Sequence, residues 1–131
     1  KGSFDIPQKL LTQKMSLEVN YENEYSKMSS GFQRVKDPED GAEYLYTDFE
    51  PYHAHTLFPC FDQPDLKAIY QVTVSAPKEW KVIQNELIES EVAQVEKTLT
   101  TFKPTPPLSA YLFFLGAGPF VEWKDKYGDL P

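Results

Sequence analysis

Short runs in which apolar and polar residues alternate, each cut off by proline or glycine, constrain this chain more than any other feature of its sequence. In residues 66–75, Ala68, Tyr70, Val72 and Val74 fall on one parity and Ile69, Gln71 and Thr73 on the other. Side chains of an extended backbone point alternately to opposite faces, so this pattern predicts a strand. Pro77 predicts its end, because proline has no N–H to give to a ladder. Residues 14–21 show the same alternation through Met15, Leu17, Val19 and Tyr21, and residues 22–31 read as a polar loop. Residues 32–35 and 43–49 read as two strands around Asp37-Pro38-Glu39-Asp40-Gly41, where proline and glycine supply the fixed and the positive φ angles a hairpin needs.

Residues 80–84, 86–90 and 97–102 follow as shorter β candidates. Residues 86–97 also fit a weak amphipathic helix, but Asn85 and the run Thr98-Leu99-Thr100-Thr101 disfavour it, so strands are preferred. Residues 110–115 are apolar on both parities, which predicts a central strand or a surface covered by a neighbour. Gly116-Ala117-Gly118-Pro119 lacks the lysine and helix of a phosphate-binding loop and predicts a sharp bend or bulge. Together these runs imply an all-β fold, a mostly antiparallel sandwich or curved open sheet. At 131 residues and 40% hydrophobic content, residues 1–131 are expected to form a single β domain.

Charge narrows the partners. With 20 acidic against 13 basic residues and a formal charge of −7, the chain lacks the basic face that nucleic acid or an anionic membrane requires. A cationic ligand suits it better. The strongest apolar run, 111–115, is far short of the ~20 residues of a membrane span, so no membrane segment is expected. Cys60 is the only cysteine, which excludes an internal disulfide or a Cys-rich zinc site and agrees with a reducing, cytoplasmic setting. A small buried thiol is its expected state. The opening KGSFDIPQ has neither methionine nor signal-peptide core and the closing KYGDLP stops on turn residues without a closing element, so a piece of a longer protein is expected.

The unusual chemistry gathers in residues 44–68. On an extended segment Asp48 and Glu50 share a face while Thr47 and Phe49 share the other. Two like charges side by side are costly unless they are solvated or hold a cation between them. Spacing alone leaves both readings open. A peptide α-amine, with an unperturbed pKa of about 7.7–8.0, is one such cation. His53 and His55 also stand at i and i+2, but a zinc site needs three or four ligands, and Cys60, Asp62 and Asp65 would join only through a folded loop. Exposed Tyr and Trp would suit a sugar platform, yet most sit at alternating strand positions and read more simply as core.

The order of residues adds a resemblance. Asp37-Pro38-x-Asp40-Gly41, Tyr44-Leu45-Tyr46-Thr47-x-x-Glu50-Pro51 and Phe58-Pro59-Cys60-Phe61-Asp62-Gln63-Pro64-Asp65-Leu66-Lys67-Ala68 closely resemble the N-terminal domain of the aminopeptidase N family of zinc metallopeptidases. Val74-Ser75-Ala76-Pro77-Lys78 and Thr105-Pro106-Pro107-Leu108-Ser109-Ala110-Tyr111-Leu112 are similar to later segments of that domain, so the likeness runs with gaps from Phe32 to Phe120. It implies a β domain forming one wall of an active-site cleft against the catalytic domain of the same chain. The glutamate matching Glu50 is expected to help bind the free α-amine of a peptide substrate. Asp48 stands where many members carry glutamine, a departure that bears on the pocket for the first side chain.

The resemblance also says what is missing. The His-Glu-x-x-His helix, its downstream glutamate and the Gly-Ala-Met-Glu-Asn strand are not in these residues, so no catalytic residue and no metal ligand is expected here. Zinc is expected as a cofactor of the parent enzyme, bound by the catalytic domain, and the chain alone is expected to be inactive. In that enzyme, the resemblance implies, zinc would supply an activated water for attack on the first peptide carbonyl. The other reading is a non-catalytic β-sandwich module for interaction or carbohydrate binding.

Overall fold

The computed structural model describes residues 6–12, 14–123, 125, 127 and 128. The terminal stretches 1–5 and 129–131, on which part of the expectation about the chain ends rested, lie outside the described residues. Within the described residues the fold is built from two antiparallel sheets that are not closed into a barrel.

The hairpin forms as its turn chemistry dictates. Strands β1 (Gly31–Lys36) and β2 (Glu43–Asp48) pair antiparallel, with Gly31 opposite Asp48 and Lys36 opposite Glu43. Asp37 Oδ1 accepts the Glu39 N–H at 2.8 Å and the Asp37 carbonyl accepts the Gly41 N–H at 2.9 Å, while Gly41 takes φ +74°. That angle favours glycine, and an aspartate side chain closing on its own backbone two residues on is a common turn device. Arg34, whose guanidinium lies 2.5 Å from Glu43, ties the two strands across their exposed face.

The remaining strands are β3 (Thr73–Pro77), β4 (Lys81–Gln84), β5 (Ile88–Ala93), β6 (Lys97–Phe102) and β7 (Leu115–Gly118). One sheet has the order β1-β2-β7-β4 and the other β3-β6-β5. Strand β5 confirms extended structure over helix in this region, although it begins at Ile88 and runs past Ser90 to Ala93. The core holds Phe49, Ala54, Ala110 and Phe113, with Leu57, Phe58, Tyr70, Val72 and Leu115 packed on it. It therefore sits where the end of β2, the 51–64 loop and the run into β7 meet.

Three expectations are corrected. Residues 14–21 are not a strand: Met15, Leu17, Val19 and Tyr21 are exposed, and no strand among the described residues pairs with them. Alternation says which side chains share a face, but a strand also needs a ladder. The strand expected over 66–75 is assigned only from Thr73, although the Ala68 and Tyr70 backbones already bond to Leu108 and Thr105, so the ladder starts as isolated contacts.

The third correction concerns 110–119. Residues Ala110–Leu112 form a 3₁₀ turn and the strand begins at Leu115, so Gly116-Ala117-Gly118 is the central strand β7 between β2 and β4, not a bend. The glycines are there for space. A Cβ on Gly118 would lie 2.8 Å from Tyr44 Cδ1 and 3.1 Å from the Glu43 carbonyl oxygen. Close approach of a neighbouring strand is the other use of glycine in a sheet, and sequence does not distinguish it from a bulge.

Candidate functional site

Strand β2 ends at Asp48, and its alternation continues for two residues. Leu45, Thr47 and Phe49 are buried while Tyr46, Asp48 and Glu50 are exposed. The expected shared face of the two carboxylates is therefore present. Phe49, only 2% exposed, is the anchor between them: its ring packs against Phe58 at 6.1 Å and Phe113 at 6.3 Å between centroids. An aromatic residue in such a core has few ways to move, and a tethered neighbour on each side moves with it.

The two carboxylates border a cleft of about 240 Å³ lined by Thr47, Asp48, Phe49, Glu50, Tyr111, Leu112, Phe113 and Phe114. Among the described residues, neither Asp48 nor Glu50 takes part in an ion pair or a side-chain hydrogen bond. The site thus offers two carboxylates with open acceptor positions beside the largely aromatic segment Tyr111–Phe114 that lines the same cleft. Residues 111–114 were not picked out as a site by spacing or composition. The signal for them was the Ser109-Ala110-Tyr111-Leu112 similarity, which points to that segment without saying what it faces.

The other candidates part company. His53 stacks on Tyr52 at 5.3 Å between centroids, whereas His55 lies in the 3₁₀ turn Ala54–Thr56 with its Nδ1 2.7 Å from Asp62 Oδ2. The same oxygen accepts the His55 backbone N–H at 3.1 Å, so this pair closes the 55–62 loop. Among the described residues no group of three or more His, Cys, Asp and Glu side chains is arranged to hold a metal. Cys60 is half-buried rather than buried, and loss of solvent, reinforced by nearby Asp62, pushes its thiol up to about 11. A thiol kept protonated is a poor nucleophile.

A larger open groove of about 1480 Å³ runs past Leu17, Tyr21, Phe58, Ile69, Val72 and Val74. Among the described residues Asp65 and Lys67 are its only charged lining residues, so it lacks the convergent anions of the smaller cleft. Among the described residues no helix is long and apolar enough to cross a membrane.

The family model described as Peptidase M1 N-terminal domain matches residues 1–112. The chain is 40% identical over 103 residues to aminopeptidase N of Streptomyces lividans, a stretch covering 79% of this chain and 12% of that protein. It is 40% identical over 95 residues to probable aminopeptidase 2 of Sulfurisphaera tokodaii, covering 72% and 12%. Glutamyl aminopeptidase of Homo sapiens is 39% identical over 97 residues, covering 72% and 10%. The chain spans about an eighth or less of the length of these curated relatives.

Proposed function

Because the chain belongs to the family of the peptidase M1 N-terminal domain, we propose that it forms one wall of the active-site cleft of a zinc-dependent aminopeptidase and binds the substrate's α-amine through Glu50, with Asp48 adding a second anion. The observation that carries this reading is the exposed carboxylate pair on the rim of a cleft whose other side is aromatic. An N-terminal amine is largely protonated near neutrality, and an internal peptide bond has no such charge. A site that spends its affinity on that charge selects chain ends.

The described residues do not fit a zinc ion, so no step of the chemistry is assigned to them. The metal and the residues that activate water belong, on this reading, to the rest of the protein. The share of this chain is orientation: holding the amine fixes the distance from the chain end to the first carbonyl, which lowers the entropic part of the barrier.

Glu50→Ala in the full-length enzyme tests this. A charge-assisted hydrogen bond is worth about 1.5–3 kcal/mol, so KM for peptides with a free N-terminus is expected to rise about 10- to 150-fold. Unchanged KM and kcat on such peptides would remove the amine-binding role.

A further inference from the structure

Residues 111–114, which line the cleft with the carboxylates, take no part in a strand ladder among the described residues; pairing with β4 begins at Leu115, opposite Gln84. Phe113 and Phe114 join the 3₁₀ turn to β7; the Leu112 and Phe113 N–H groups bond back into the turn, and four further backbone groups from Leu112 to Leu115 are taken up by two side chains, one on each edge. Asn85 Nδ2 donates to the Leu112 carbonyl at 2.9 Å, and its Oδ1 accepts the Phe114 N–H at 2.7 Å. The Thr47 hydroxyl donates to the Phe113 carbonyl at 3.3 Å and accepts the Leu115 N–H at 2.9 Å. In an extended chain, residues two apart present their backbone groups to the same edge. The 112/114 pair therefore meets Asn85 and the 113/115 pair meets Thr47.

The chemistry of each residue matches its task. A primary amide carries a donor and an acceptor side by side, as a peptide group does, so Asn85 substitutes for a neighbouring strand residue. Its two backbone partners are of opposite kind and fix which end of the amide faces which. A hydroxyl can likewise donate once and accept at the same time, which Thr47 uses from its buried position one residue before Asp48. The residue next to the acidic pair thus grips the opposite wall as well. On the far flank Asn85 follows directly on β4, and Gln84 Nε2 donates to Asn85 Oδ1 at 3.2 Å.

We propose that Asn85 and Thr47 are positioning residues for the amine site: they set the separation of the Leu112–Phe114 wall from Asp48 and Glu50. This rests on the amine-binding reading above. Asn85 does not line the cleft, so any effect it has on substrate passes through the wall.

The test is a double-mutant cycle in the full-length enzyme, with Asn85→Ala, Glu50→Ala and the pair, assayed on a free-amine dipeptide beside the urea unfolding midpoint of each variant. Losing two neutral hydrogen bonds at the wall is expected to raise KM about three- to tenfold in Asn85→Ala with kcat little changed. In the Glu50→Ala background the same substitution is expected to have much less effect, because the wall has then lost the main charge it works against and only Asp48 remains. Asn85→Asp, which turns a donor into an acceptor facing the Leu112 carbonyl, is expected to raise KM at least as much.

A lowered kcat at unchanged KM is what loss of folded enzyme gives, and it would overturn the positioning role. So would full additivity of the two substitutions. If Asn85→Ala leaves KM unchanged while Glu50→Ala raises it, the positioning role falls and the amine site stands. If Glu50→Ala changes nothing, the amine site falls and the positioning role falls with it.

Discussion

Truncating Phe49 tests the central structural claim, that the carboxylate pair is fixed by a core ring between its members. Phe49 is 2% exposed, and its neighbours Ala54 and Ala110 are 0% and 2% exposed and too small to fill a void. Phe58 and Phe113, its ring partners, also contact each other at 5.0 Å between centroids, which limits their collapse into the space. Phe49→Ala is therefore expected to cost about 3–5 kcal/mol, the range for aromatic truncation in a core that relaxes little. Against a typical domain stability of about 5–15 kcal/mol that is a large share. In equilibrium urea unfolding with a slope of about 1.5–2 kcal/mol/M, the midpoint is expected to fall by about 1.5–3 M with the slope unchanged. Phe49→Leu, which keeps most of the apolar volume, is expected to lose clearly less. A midpoint shift under about 0.5 M for Phe49→Ala would refute the anchoring role and with it the reason the two carboxylates are held on one rim.

Two other outcomes follow from the structure. Cys60 in the folded chain is expected to react with iodoacetamide more slowly at pH 8 than in urea, and to gain rate only as pH approaches about 11. The sign for stability follows: a raised folded pKa favours the protonated thiol, so this contribution is complete below the unfolded value of about 8.5 and is lost as pH climbs through the folded one. Gly118→Ala is expected to destabilise by about 1–3 kcal/mol, because the new Cβ meets the Tyr44 ring edge and a backbone carbonyl on β2 that a strand ladder holds in place. A melting temperature within a degree of the parent chain would show that β2 and β7 are not packed as described.

Amine binding through Glu50 also carries a pH signature, because the ligand titrates. KM for free-amine peptides is expected to rise above about pH 8, as the amine loses its charge, and the Glu50→Ala variant is expected to show a shallower rise. The positioning role of Asn85 separates from this, since it changes the level of KM rather than its pH dependence.

Local patterns were enough for the all-β class, for the hairpin at 31–48 and for the shared face of Asp48 and Glu50. Each rests on physics that acts over a few residues: the two-residue repeat of a strand, and the positive φ and side-chain closure of the Asp37–Gly41 turn. The order of residues from Thr47 to Ala68 further identified the family. Tertiary structure decided the rest. Residues 14–21 carry a strand pattern without a strand because pairing is supplied by a neighbour, and sequence periodicity has no term for the neighbour. Gly116 and Gly118 became a central strand because β2 and β4 pair with it on both edges, while Tyr44 and Glu43 of β2 leave no room for a Cβ at Gly118. The cleft brings together residues 47–50 and 111–114, and the side chains bonded to the 112–115 backbone, Thr47 and Asn85, stand more than 60 and nearly 30 residues away in sequence. Alternation along a strand follows from the backbone alone, whereas what stands opposite a side chain depends on long-range contacts that form only when the whole chain folds.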